Sequence, residues 1–166
     1  LPVVPNGICG MSHFGNTIFM VGAYFNGAKM YKSFDGGNTW TYQGFNFAAT
    51  NLVDCLFLNA NEILVCGIAH PAFGVGGVIV KSNDGGATWT TITSMPSGNI
   101  TYIACSNTDP NKAWITYSGF TNSNKVFQTN DQGVTWVNLS ASIPNIPVNC
   151  ITYVNNSNDA LYIGTD

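Results

Sequence analysis

Apolar and polar residues alternate along the whole chain in short runs, and clusters of Gly, Asn, Asp and Ser separate one run from the next. Residues 6–13, 17–24, 29–32 and 39–42 form a first group of such runs. Residues 52–58, 62–69, 78–82 and 88–93 form a second, residues 100–105, 113–117, 125–129 and 135–139 a third, and residues 148–154 and 161–164 open a fourth. Runs of this length, rich in Val, Ile, Tyr and Phe and bounded by turn formers, predict half-buried or buried strands. The first hairpin of each group turns at Phe14-Gly15-Asn16, Asn59-Ala60-Asn61 and Asn107-Thr108-Asp109-Pro110-Asn111. Pro96, Pro144 and Pro147 fall between groups, where the chain leaves one sheet for the next. No stretch longer than a turn sustains apolar residues at a 3.6-residue period, so essentially no helix is predicted.

Each group of four strands carries one copy of an octapeptide. Ser33-Phe34-Asp35-Gly36-Gly37-Asn38-Thr39-Trp40, Ser82-Asn83-Asp84-Gly85-Gly86-Ala87-Thr88-Trp89 and Thr129-Asn130-Asp131-Gln132-Gly133-Val134-Thr135-Trp136 share Ser/Thr-x-Asp-x-Gly-x-Thr-Trp, at spacings of 49 and then 47 residues. A motif recurring at a near-constant period marks a repeat architecture. Asp before Gly favours a tight turn in which the carboxylate accepts backbone amides and Gly takes positive φ. The Trp, with roughly 200 Å² of side chain, anchors the turn on the core.

These octapeptides resemble the Asp-box, the bacterial neuraminidase repeat of β-propeller blades. The resemblance implies an all-β propeller with four-stranded antiparallel blades, about three and a half of them here, and boxes on the turn between the third and fourth strands that act structurally. The box positions are then Ser33, Asp35, Gly37, Thr39 and Trp40; Ser82, Asp84, Gly86, Thr88 and Trp89; Thr129, Asp131, Gly133, Thr135 and Trp136. Blade 1 is expected at about residues 6–45, blade 2 at about 51–94, blade 3 at about 99–140 and a partial blade 4 at about 148–166. Propellers close with about four to eight blades. The expectation is therefore a single segment of a larger propeller of six or seven blades, completed by further blades of the same chain; the alternative is two copies closing head to tail.

Composition narrows the partners. Charged residues are 8% of the chain and the net charge is −3, so there is no basic field for nucleic acid. No run approaches the roughly 18 apolar residues that span a bilayer. A polar, uncharged surface fits a secreted or cell-surface protein that meets a protein or a glycan. Three sequons, at Asn99, Asn138 and Asn155, would matter only in a glycosylating host.

Five cysteines, Cys9, Cys55, Cys66, Cys105 and Cys150, include no Cys-x-x-Cys pair and no His at zinc-ligand spacing, so neither a metal site nor a cofactor is expected. If the second group's first hairpin turns at Ala60-Asn61, Cys55 and Cys66 stand opposite each other; a cross-strand disulfide and two buried thiols are both open.

Resemblance to sialidases would require a cluster of three arginines, and the chain contains none, its five basic residues all being Lys. Lys cannot supply the bidentate fork of a carboxylate clamp. The phrases Asn107-Thr108-Asp109-Pro110-Asn111-Lys112-Ala113-Trp114 and Ala160-Leu161-Tyr162-Ile163-Gly164-Thr165-Asp166 also resemble xyloglucan-degrading, sortilin-type and photosystem-assembly propellers. A glycosidase needs two carboxylates roughly 5 to 9 Å apart. Glu62 is the only Glu and reads as solvated in a turn, Asp109 as a turn cap, and the box aspartates as fasteners. Asp54 differs, because it lies in the apolar innermost run Leu52-Val53-Asp54-Cys55-Leu56-Phe57-Leu58, where it either faces the central channel as a binding group or bonds a neighbouring strand's amides. His13 and His70 read as structural. Phe25, Phe73 and Phe120 fall on connections between second and third strands, where rings stack on sugars or protein partners.

Two functions follow as expectations. The first is a non-catalytic extracellular scaffold or recognition propeller, for which the residue inventory argues. The second is a piece of a glycoside hydrolase, xyloglucanase-like rather than sialidase-like, with its catalytic acids outside these residues.

Overall fold

The structure is a computed structural model that describes residues 7–24, 27–45, 49–69, 76–95, 98–120, 123–154 and 160–166. The strands in chain order are β1 (Gly7–Phe14), β2 (Thr17–Tyr24), β3 (Gly27–Ser33), β4 (Thr41–Gln43), β5 (Ala49–Phe57), β6 (Ile63–Ala69), β7 (Gly77–Ser82), β8 (Thr90–Ile92), β9 (Ile100–Cys105), β10 (Ala113–Tyr117), β11 (Val126–Thr129), β12 (Val137–Asn138), β13 (Val148–Val154) and β14 (Ala160–Thr165). They pair antiparallel and strictly in sequence. The result is three four-stranded sheets, β1-β2-β3-β4, β5-β6-β7-β8 and β9-β10-β11-β12, followed by the two-stranded β13-β14.

The sheets stack face to face, and this explains the burial of each strand. Second strands lie between neighbouring sheets on both faces, so all five residues of β10 are buried. Such strands read as unbroken apolar runs rather than as alternations. Outer strands are short and solvent-facing, with Thr41 and Tyr42 exposed in β4 and both residues exposed in β12. One core layer sets Phe19, Val21 and Met30 of the first sheet against Cys55, Phe57, Ile63, Val65, Val80 and Trp89 of the second. The next sets Leu56, Leu64, Cys66 and Ile79 against Ile103, Ile115 and Phe127 of the third. A third joins Trp114 and Val126 to Ile151 and Ile163, with Trp114 stacked on Tyr153 at 4.8 Å between ring centroids. Each fully buried Leu, Ile or Phe contributes on the order of 2 kcal/mol, so the layers between sheets are where the fold is held.

Two expectations need correction. The β5-β6 hairpin pairs Phe57 with Ile63 and Cys55 with Val65, which puts Asp54 rather than Cys55 opposite Cys66. Because strand side chains alternate faces, one residue of register moves the two thiols to opposite sides of the sheet; Cys55 joins the first core layer, Cys66 the second, and both are free. The outer strands begin two residues after the expected Thr, since the amides of Thr39 and Thr88 donate to Asp35 and Asp84 instead of to the ladder. One 3-10 turn, Ser140–Ser142, follows β12. There the Oγ of Ser140 accepts the amides of Lys125 at 2.9 Å and Val126 at 3.1 Å, continuing the edge that two residues of β12 leave short.

A register shift recurs at one place in every innermost strand, between Ile8 and Gly10, Leu52 and Asp54, and Val148 and Cys150, with Ile100 and Tyr102 flanking the same shift in β9. Gly10, Asp54, Tyr102 and Cys150 are therefore equivalent positions on successive sheets.

Candidate functional site

The octapeptides build the outer corners. In the second, the Ser82 hydroxyl donates to Asp84 Oδ1 at 2.8 Å and accepts the Gly86 amide at 2.7 Å, while Asp84 Oδ1 and Oδ2 accept the Thr88 amide at 2.8 Å and its hydroxyl at 2.5 Å. Ser33, Asp35, Gly37 and Thr39 repeat this set of bonds, as do Thr129, Asp131, Gly133 and Thr135. The indole N–H of Trp40, Trp89 and Trp136 closes each turn on the carbonyl of Gly37, Gly86 and Gly133. Hydrogen bonds from Thr side chains and amides hold Asp35 and Asp84 down at about 2, and the same donors lower Asp131.

Each turn also reaches outward. The amides of Gly36, Gly85 and Gln132 donate to the carbonyls of Asn16, Asn61 and Asn111 in the first hairpin of the same sheet, at 2.9, 2.7 and 3.0 Å. From the preceding sheet, Lys32 Nζ donates to the Gly85 carbonyl at 2.5 Å and lies 4.6 Å from the Phe34 ring centroid. Lys81 Nζ repeats the reach, donating to Gln132 Oε1 at 2.8 Å and pairing with Glu62 at 3.1 Å. Glu62 is thus half-buried in an ion pair, with Asn59 as a further partner, rather than free in solvent. Burial lowers the Lys32 ammonium, partly opposed by Asp84.

At the inner edge, Asp54 joins three sheets. It is 7% exposed. Its Oδ1 accepts the Cys55 amide at 2.9 Å and its Oδ2 the Ile103 amide of β9 at 3.3 Å. Gly10 of β1 packs so closely that a Cβ there would stand 2.5 Å from the Asp54 Cα. Burial pushes the Asp54 carboxyl up to about 6 against the pull of the two amides. A groove of about 280 Å³ opens beside it, walled by Met11, Ser12, Tyr102, Thr152 and Tyr153 among others, with Asp54 the one acid among the described residues of its lining. Of the two sequence readings of Asp54, the bond to a neighbouring strand's amide is present, and the carboxylate also lines this groove. Ser12 Oγ accepts the Phe57 amide at 3.0 Å, and Thr101 Oγ1 donates to the Val148 carbonyl at 2.7 Å, so a polar side chain bridges each successive pair of inner strands.

Of the loop aromatics, Phe120 is 71% exposed, whereas Phe25 and Phe73 lie outside the described residues, as do His70 and Asn155. His13 is exposed on β1 and separate from the groove lining. Asn99 is exposed, and Asn138 has its amide group engaged by Ser123 and Ser140. Among the described residues no three His, Cys, Asp or Glu side chains converge as a metal site. Sequence reading missed Lys32, Lys81, Ser12, Thr101 and Tyr102; aligning the four inner strands at their common register shift would have placed Tyr102 beside Asp54.

No protein-family model matches the chain, and no curated protein does. Solved structures do. A YCF48 bound to a D1 peptide is 25% identical over 80% of this chain and 40% of that one, with a TM-score of 0.58. The GH74 enzyme of Niastella koreensis matches at 19% identity and a TM-score of 0.69, over 96% of this chain and 26% of that one. The GH74 xyloglucanase of Xanthomonas campestris matches at 14% and 0.73, over 96% and 27%. The chain spans well under half the length of each of these proteins, and with its sequentially wound antiparallel sheets stacked face to face it has the fold of successive β-propeller blades.

Proposed function

We propose that the chain belongs to an Asp-box propeller that serves as a non-catalytic recognition or scaffold module for a protein partner outside the cell, contacted through the axial groove and the connecting loops. The observation that carries this reading is the employment of the carboxylates. Asp35, Asp84 and Asp131 hold their own turns, Glu62 pairs with Lys81, Asp109 caps the Asn111 amide, and Asp54 clasps two strands. A glycosidase requires two carboxyl groups roughly 5 to 9.5 Å apart across a cleft, and the groove lining supplies Asp54 alone. The YCF48 structure with a bound D1 peptide supports a peptide ligand on a related scaffold.

A second reading has its own support. The GH74 structures superpose over nearly the whole chain, so a hydrolase with its acids in other blades remains the competitor. Incubating the protein with xyloglucan oligosaccharides and following reducing ends, beside a peptide array probed with the same preparation, separates the two. Peptide binding without sugar release is expected; sugar release abolished by one acidic substitution overturns the recognition reading.

A further inference from the structure

Among the described residues, the groove at the inner edge has one carboxylate, Asp54, and no Lys or His in its lining. Among the described residues, the ionisable groups that act on or feel Asp54 are Cys55 and Cys66 from its own sheet and Tyr102 from β9, with Cys150 of β13 beyond Tyr102, and none of these is a cation. A carboxylate offers about four acceptor sites. The Cys55 and Ile103 amides take one on each oxygen, and the carboxylate lines the groove. Desolvating a carboxylate is unfavourable, and a cation offsets that cost where it meets the carboxylate with good geometry and further hydrogen bonds.

The walls indicate which cation fits. Met11 is 62% and Tyr102 41% exposed at the groove, and Tyr153 lines it. A thioether and two phenol rings make a soft surface that covers an alkyl stem and faces a cation with π electrons. The lining holds one carboxylate, and among the described residues no three His, Cys, Asp or Glu side chains converge to hold a metal ion. A volume of about 280 Å³ lies just below the range of small-molecule pockets, room for one side chain and not for a run of sugar rings.

We propose that this groove receives a lysine or arginine side chain of a peptide partner, with the Asp54 carboxylate as its counter-ion and Tyr102 and Met11 flanking its stem. This rests on the recognition reading above and gives it a ligand chemistry.

The test titrates the protein with acetyl-lysine-methylamide, acetyl-arginine-methylamide and acetyl-norleucine-methylamide, following the side-chain carboxyl carbon of Asp54 by NMR. Saturable one-to-one binding of the two cationic probes is expected, at least about tenfold weaker for norleucine. Bound cation lowers the carboxyl's midpoint from about 6, and affinity falls as that group protonates. This readout needs no variant; Asp54→Asn, where folded, abolishes the preference for cations. An unmoved Asp54 resonance, or equal binding of norleucine, overturns the inference, and the second result leaves peptide recognition standing. Spermidine saturating the site where the capped residues do not would make the ligand a free polyamine and overturn the peptide source. Failure of every probe together with hydrolysis of xyloglucan overturns the recognition reading itself.

Discussion

The ammonium of Lys32 donates a 2.5 Å hydrogen bond to the carbonyl of Gly85, a residue 53 positions later and in the next blade. Lys81 makes the corresponding reach to Gln132. The octapeptide turn is therefore a joint between blades as well as a clasp within one. Replacing Lys32 by Met keeps the apolar stem and removes the donor. A hydrogen bond from a charged group contributes roughly 1.5–3 kcal/mol, so Lys32→Met is expected to lower stability by about 1–2 kcal/mol, read as a shift of the urea midpoint at unchanged slope.

Asp35 and Asp84 titrate at about 2, below the ordinary 3.8, because Thr and Ser donors favour the carboxylate. A group whose folded value is depressed contributes stability above its unfolded value and loses it as pH falls toward the folded one. Stability should therefore decline between about pH 4 and pH 2, and Thr88→Val, which removes one donor to Asp84, should shrink that decline. Thermal melts across this range measure it.

Asp54 behaves in the opposite sense. Its value of about 6 lies above 3.8 because of burial, so the folded state binds the extra proton between those limits. Stability then rises as pH falls from above 6 towards 4, by up to about 3 kcal/mol. Asp54→Asn, which retains the shape and an acceptor for one amide, should flatten that limb while leaving the acid loss from the boxes in place. Urea midpoints at stepped pH for both proteins decide the matter.

Gly10 leaves no room for a side chain, since a Cβ would sit 2.5 Å from the Asp54 backbone. Overpacking costs typically 1–3 kcal/mol, and here backbone is the obstacle. Gly10→Ala is expected to lower stability by about 3 kcal/mol, visible as a lower melting temperature with the β-sheet circular dichroism retained.

Cys55 and Cys66 are fully buried on opposite faces, and burial pushes both thiols up, whereas Cys150 is exposed. The thiolate is the reactive species. Iodoacetamide under native conditions should modify Cys150 and spare Cys55 and Cys66 until denaturant is added, as peptide mass spectrometry would record.

Much of the fold was legible because repeated chemistry leaves a repeated text. The ends of β9, β10 and β13 coincide with their apolar runs, and Gly36, Gly37, Gly85 and Gly86 take the positive φ their turn demands. Gln132 takes φ 60° without being glycine, and its side chain is held by Lys81 and Asn111; nothing local in the third octapeptide announces that. The two thiols stay free, as one of the two open readings had it, but they are not opposed, for a similar reason. Register depends on the hairpin at Asn59–Glu62, where the Leu58 amide bonds the Glu62 carbonyl, and a shift of one residue changes the face of each thiol without changing the apolar pattern. Asp54 stood out as a polar residue in an apolar run, but its partner Ile103 lies 49 residues away, beyond the reach of any pattern read along one strand.

The register shift shared by the four inner strands has a consequence for variation. It brings one residue per sheet, Gly10, Asp54, Tyr102 and Cys150, to the same register position on the innermost strand, while the neighbouring Leu52, Ile100 and Val148 stay sealed in the layers between sheets. Tyr102 and Cys150 are exposed there and carry little of the packing, so a protein of this design could acquire a new surface chemistry by single exchanges at these two positions without renegotiating the fold.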